Sequence, residues 1–271
     1  MLAQRVLVAL IGLPLIVWLL FRWPTAFAVL LALALLGAAR EYRGLWPADA
    51  RLNAGVFLVG VALALGPRLG GQGPAAVLGG LMAATLWYLA QALWLYERGH
   101  AAAPRDAAYA ALGALIFGGL GGYLLALQTL PWGPWAVLWV LSTVWVTDSA
   151  AYFVGRAWGR HRLAPRLSPK KSWEGFAAGV VLGTAYAGGI FPAVAAHWGF
   201  DPPTSALAGW GLGALLTLLT PLGDLAESMF KRAAHSKDSG HLLPGHGGLF
   251  DRMDSWLWAG VLGYAWLALF V

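Results

Sequence analysis

Residues 134–155, PWAVLWVLSTVWVTDSAAYFVG, carry a single formal charge, Asp148. An apolar run of about 20 residues is long enough to cross a bilayer as a helix. The stretch therefore predicts a membrane span with one carboxylate near its end. Outward from it the chain repeats the pattern. Further apolar runs cover 5–21, 24–39, 52–66, 74–96, 107–127, 173–196, 205–223 and 253–271, which brings the expected spans to nine. The third is short enough to be re-entrant. The first lacks a convincing cleavage site before the next begins and is expected to be a retained helix.

Composition agrees with this reading. Of 271 residues, 59% are hydrophobic and 11% charged, and the mean hydropathy is +0.66. A soluble domain carries roughly 25% charged residues. Many of the 16 tryptophans lie at run ends, among them Trp23, Trp46, Trp132, Trp135 and Trp198, as in an interfacial aromatic belt. With no cysteine there is no disulfide framework, thiolate metal site or cysteine nucleophile.

The loops give an orientation. In a nine-helix path, one side holds 16 of the 18 Lys and Arg residues, and the other holds Arg22 and Arg68. Such a bias places the N-terminus and the long polar loops in the cytoplasm. The net charge of +6 then belongs to basic loops beside anionic lipid, with no nucleic-acid partner. The expected fold is an all-α, polytopic transmembrane helix bundle of about nine membrane helices with a cytoplasmic N-terminus.

Chemistry is expected in the C-terminal half. The first 147 residues contain only Glu41, Asp49, Glu97 and Asp106 as acids, whereas residues 148–254 contain eight acids and every lysine. Residues 1–133 read as membrane helices of scaffold type without an assigned role. Residues 134–271 read as the catalytic membrane region. Asp148 is the first anomaly, because burying Asp in hydrocarbon costs roughly 2.5–3.5 kcal/mol, so it should face a polar cavity, a cation or a partner. Lys170-Lys171 precede an expected helix that Ser168 or Ser172 would cap, with Glu174 in its first turn. Basic side chains beside a helix N-terminus suit a phosphate, although a plain basic cytoplasmic loop accounts for the neighbouring arginines. Asp224, Glu227, Ser228 and Lys231 share one helix face. Acids three apart suit a hard cation and the lysine a phosphate, while an exposed amphipathic helix with one ion pair is the plainer account of that face alone. Asp251 and Asp254 repeat the spacing after Pro244-Gly245-His246-Gly247-Gly248, whose glycine amides can face an anion. Asp148, Asp224 and the last pair sit at cytoplasmic helix ends and are free to converge. His241 and His246 lack a zinc-ligand pattern, and neither a Walker A loop nor a GxSxG elbow occurs.

Residues 228–254, SMFKRAAHSKDSGHLLPGHGGLFDRMD, resemble the signature of the phosphatidate cytidylyltransferases. Asp148–Tyr152 with Gly155-Arg156, Ser168–Gly175 and Gly223–Glu227 are similar to that family's flanking motifs, so the resemblance covers roughly 140–256. It implies a multi-pass enzyme of the cell (inner) membrane, with its active site toward the cytoplasm and a homodimeric state. The implied reaction takes CTP and phosphatidate to CDP-diacylglycerol and pyrophosphate with Mg²⁺, as one ion or two. On this reading Asp148, Asp224, Asp251, Lys231 and Lys237 are catalytic. The metal-linked acids are Asp224, Asp251 and Asp148, with Asp254, Glu227 and Asp238 behind them. Phosphates fall to Lys170, Lys171, Lys231, Arg232, Lys237, His246, Gly247 and Gly248. The attacking phosphate oxygen is ionised at neutral pH and needs no strong base, in keeping with the lack of an obvious catalytic histidine. CDP-alcohol phosphotransferases are disfavoured because their DG-x2-AR signature is missing. Polyprenol-type lipid kinases share features of the C-terminal half. A transporter would place its acids near the bilayer centre rather than at one face.

Overall fold

The computed structural model describes residues 2–201, 205–240 and 247–270. The fold is all-α and polytopic. Six helices among the described residues are long and apolar enough to cross a membrane: Pro24–Gly44, Ala75–Glu97, Ala103–Thr129, Gly133–Trp158, Trp173–His197 and Ala206–Ala233. Gly12–Arg22 and Ala54–Leu69 are shorter apolar helices. The chain divides into two compact units, residues 1–129 with 230–253 and residues 130–229 with 254–271.

The first unit contains α1 (Leu2–Arg22), α2 (Pro24–Gly44), α3 (Ala54–Leu69), α4 (Pro74–Glu97) and α5 (Ala103–Gly113). From α5 a π-helical stretch, Ala114–Leu120, leads into α6 (Gly121–Ala126). Prolines open α2, α4 and α5, where the missing amide costs nothing. The core is aromatic. Tyr42 of α2 is 1% exposed, and its ring meets Phe57, Phe117, Phe230 and Phe250 at centroid distances of 5.4–6.2 Å. Residues 230–253 thus pack onto the N-terminal helices through two phenylalanines.

The polar loops of this unit are tied by one buried acid. Asp106, on α5, is fully buried. Its carboxylate accepts from the Arg51 and Leu52 amides at 2.7 and 3.3 Å, and pairs with His100 at 2.9 Å. Arg105 bridges it to Asp49, donating to both Asp49 oxygens at 3.0 and 3.1 Å. That fork holds the Asp49 carboxyl below its usual range.

The second unit contains α7 (Gly133–Trp158), an antiparallel hairpin of β1 (Arg162–Ala164) and β2 (Ser168–Ser172), α8 (Trp173–Ala185), a π-helical turn (Tyr186–Ile190), α9 (Phe191–His197) and α10 (Ala206–Leu219). The hairpin sets Arg162 opposite Ser172 and Ala164 opposite Ser168. Two further helices, α11 (Pro221–Ala233) and α12 (Phe250–Phe270), contain the unit boundaries. Of the two serines expected to cap α8, Ser172 does so, its Oγ accepting from the Gly175 amide at 3.2 Å. Glu174 takes the Arg160 and His161 amides and the His161 ring. Helices α7 and α8 approach closely because glycines line their crossing. A Cβ at Gly175 would lie 2.6 Å from the Ala151 carbonyl oxygen, and one at Gly179 would lie 3.0 Å from that of Thr147. Small residues at four-residue spacing permit such backbone approach in membranes.

Asp106→Ala leaves two amides, His100 and Arg105 without their shared acceptor. Loss of a buried, multiply bonded carboxylate should lower stability by about 2–4 kcal/mol. Thermal unfolding of the purified variant in detergent reads this, and an unchanged midpoint would remove Asp106 as the loop anchor.

A candidate metal and phosphate site

The second unit gathers four acids and a lysine. Gly223 begins the arrangement. It lies against the backbone of α12, where an added Cβ would be 2.5 Å from the Asp254 carbonyl oxygen and 2.7 Å from the Trp258 ring. This contact sets the first turn of α11 beside the first turns of α12. Asp224, Glu227 and Asp254 then each offer an oxygen, and the three atoms lie within 4.8 Å of one another. Glu227 is 2% exposed, while Asp224 and Asp254 are half-buried.

Lys171, at the end of β2, forms an ion pair with Asp224. The Ser228 hydroxyl donates to Asp224 at 3.4 Å, and Asp254 accepts from the Ser255 amide at 2.6 Å. Asp148, exposed on α7, interacts electrostatically with Lys171 and Asp224. The close α7–α8 crossing brings these residues into range, since a single residue separates Lys171 from α8 and Asp148 lies between the crossing points Thr147 and Ala151. Three carboxyl groups therefore crowd together, and one of them, Asp224, carries the Lys171 ammonium. Each pair of ionised carboxylates at or inside 4.8 Å repels by at least about 3 kcal/mol at an effective dielectric near 20. Three such pairs rival the whole stability of an ordinary domain, so the cluster calls for cations or protons. An all-oxygen donor set suits a hard divalent ion.

The first unit holds a second polar cluster. Lys231 donates to Asp251 Oδ1 at 2.6 Å. Asp251 Oδ2 accepts from the Ser239 amide and hydroxyl and from the Gly248 amide, at 3.1, 3.0 and 3.0 Å. Glu41 Oε2 accepts from the Ser239 hydroxyl at 3.0 Å and the Phe250 amide at 2.9 Å. Gly247 has φ +83°, a left-handed backbone that favours glycine.

Of the residues singled out in the sequence, Lys171, Asp224, Glu227 and Asp254 meet in the second unit, with Asp148 in electrostatic range of Lys171 and Asp224. Lys231, Asp251 and Gly248 meet in the first, with Gly247 next to them in the chain. Asp251, expected among the foremost metal-linked acids, spends its oxygens on Lys231, Ser239 and Gly248. Lys170 is exposed on β2, and Lys237 and Asp238 are exposed in the turn after α11. Arg232, also exposed, donates to the Ser236 carbonyl at 3.1 Å. His241 and His246 lie outside the described residues. Sequence reasoning gave no role to Gly223, Ser239 or Glu41. The signal for Glu41 was present, since it is an acid two residues past the end of the apolar run 24–39.

The family model described as "Cytidylyltransferase family" matches residues 3–270. A phosphatidate cytidylyltransferase of Pseudomonas aeruginosa is 36% identical over 268 residues, covering 94% of this chain and 93% of that protein. One of Bacillus subtilis is 37% identical over 166 residues, covering 61% of this chain and 60% of that protein. One of Brucella suis is 46% identical over 142 residues, covering 52% of this chain and 49% of that protein. The chain thus matches about half the length of the Brucella relative and nearly all of the Pseudomonas one.

Gly223→Ala should push α11 from α12 and part Asp224 from Asp254. Binding of Mn²⁺, followed by its paramagnetic signal, is expected to weaken about 10-fold or more with helical content unchanged. Wild-type binding in a folded variant would sink the role given to this contact.

Proposed function

This chain belongs to the cytidylyltransferase family, and we propose from that premise that it joins CTP to phosphatidate, releasing pyrophosphate and forming CDP-diacylglycerol. The single observation that carries the reading is the Asp224–Glu227–Asp254 oxygen cluster, with Lys171 paired to Asp224. Holding a divalent cation, it would supply what nucleotidyl transfer needs, which is charge neutralisation and positioning at the α-phosphate.

In the proposed reaction a phosphatidate phosphate oxygen attacks the α-phosphorus of CTP, and the bond from that phosphorus to the pyrophosphate oxygen breaks. The nucleophile is already ionised, so no side chain has to remove a proton. Asp224, Glu227 and Asp254, with Asp148 nearby, would hold Mg²⁺. Their donors are all oxygen, which fits that ion's preference. Bound there, Mg²⁺ supplies Lewis-acid neutralisation of the phosphate oxygens. Lys171 offers an ammonium to a phosphate in exchange for Asp224. Lys170 extends this positive edge. In the other unit, Lys231, Arg232 and Lys237, with the amides of Gly247 and Gly248, are the proposed phosphate donors. Asp251 orients Lys231 by their 2.6 Å contact. We place the protein in the cell membrane with these residues toward the cytoplasm, because 16 of 18 basic residues fall on that side of a nine-span path. A homodimer is part of the same proposal and rests on the family resemblance.

Purified protein given CTP, Mg²⁺ and phosphatidate should release pyrophosphate and form a CDP-lipid. Dependence on ATP or on a CDP-alcohol instead would overturn the assignment. Chelation with EDTA should abolish turnover and added Mg²⁺ restore it. Asp224→Asn and Asp254→Asn are expected to stay folded and lose about 100-fold in kcat. Near wild-type rates in both would end the metal assignment.

A further inference from the structure

Glu41 is the one acid of α2, and it sits among residues far along the chain. It is 7% exposed. Its Oε2 receives the Ser239 hydroxyl and the Phe250 amide, while Oε1 is buried with no hydrogen-bond partner among the described residues. Its contacts bracket the glycine-rich stretch on both sides. A Cβ at Gly240 would lie 2.5 Å from Glu41 Oε1, and one at Gly248 would collide with Oε2 and the Ser239 hydroxyl. The carboxyl is therefore wedged against the two glycine backbones that flank residues 241–247. The residue after it, Tyr42, packs on Phe230 and Phe250, at 5.4 and 6.1 Å. The Leu249 side chain lies where a Cβ on Gly37, one helical turn earlier, would be. One face of α2 thus grips the segment that carries Lys231 and Asp251.

A buried carboxylate is costly unless it does something with its charge. Here it takes the first amide of α12, where negative charge favours the helix dipole. It also shares the Ser239 hydroxyl with Asp251, and both contacts are 3.0 Å. A hydroxyl has one proton to donate, so Ser239 links the two carboxyl groups and the position of one depends on the other. The chain of contacts runs Glu41, Ser239, Asp251, Lys231.

We infer that Glu41 is a positioning residue, clamping Ser239, Gly240, Gly248 and Phe250 so that Asp251 and Lys231 are held ready for a phosphate. The role in turnover rests on the proposed nucleotidyl transfer, whereas the clamp itself does not. It gives the N-terminal helices a part in the site that their lack of a motif concealed.

Two readouts on the full-length protein in nanodiscs separate these statements. Hydrogen exchange at the Ser239, Gly248 and Phe250 amides should speed up about 10-fold or more in Glu41→Ala, with the Arg51 and Leu52 amides unchanged. Glu41→Gln keeps an acceptor for the Ser239 hydroxyl and the Phe250 amide and should exchange as wild type. Per folded molecule, kcat should fall about 10- to 100-fold in Glu41→Ala and remain within about threefold in Glu41→Gln. Ser239→Ala, which leaves Glu41 in place, should fall by a similar factor, and the double variant should fall little further. Should Glu41→Ala fail to fold, Ser239→Ala and Glu41→Gln carry the test. Unchanged exchange at the three amides, or a wild-type kcat in folded Glu41→Ala or in Ser239→Ala, overturns the inference. A wild-type enzyme that forms no CDP-lipid overturns the proposed reaction instead, and the exchange experiment then decides the clamp alone.

Discussion

Backbone contact at glycine is the constraint on which the second unit depends. Helices α7 and α8 meet where Gly175 and Gly179 admit the carbonyl oxygens of Ala151 and Thr147, and α11 meets α12 where Gly223 admits that of Asp254. In a membrane the hydrophobic effect does not draw helices together, so close packing has to do it. These crossings also fix chemistry. The first brings Asp148 and Lys171 into range of each other, and the second brings Asp224 and Glu227 to Asp254. A methyl group at any of these glycines would separate charges as well as helices.

Charge in such a chain is expensive, and the two units handle it differently. The second crowds the oxygens of Asp224, Glu227 and Asp254 within 4.8 Å of one another, with Lys171 paired to Asp224 alone, an imbalance that suits a divalent cation. The first surrounds Asp106 and Asp251 with protein donors. Asp106 takes two amides, a histidine and an arginine. Asp251 takes a lysine, a hydroxyl and two amides. The contrast is between acids ringed by protein donors and three acids whose oxygens crowd within 4.8 Å of one another. Asp251 and Asp254, three residues apart on α12, accordingly sit in different surroundings.

Much of the candidate site was legible because its residues are unusual for their setting. Asp148 stands out in an apolar run, Asp224 and Glu227 by their helical spacing, and Lys171 by its place before a helix. The Ser172 cap and the α8 start follow from local hydrogen-bonding chemistry that the sequence displays. Glu41 escaped notice because the residues that make it matter are about two hundred positions away. Its own neighbours, an apolar run on one side and arginines on the other, suggest a span end and nothing more. Asp251 was expected among the foremost metal-linked acids on the strength of the family resemblance, and its contacts with Lys231, Ser239 and Gly248 could not be read from the sequence because these partners meet it only in the fold.

By itself, the sequence determined the all-α membrane class, the crowding of charge toward the C-terminal half and the family signature. Each of these is a matter of composition or of short spacing along one chain. The tertiary structure decided which carboxyl groups share a cation-sized space, which one holds Lys231, and that Glu41 belongs with Ser239 and Phe250. Those outcomes depend on how closely helices approach, and that distance is set by glycines whose partners lie far away in the chain.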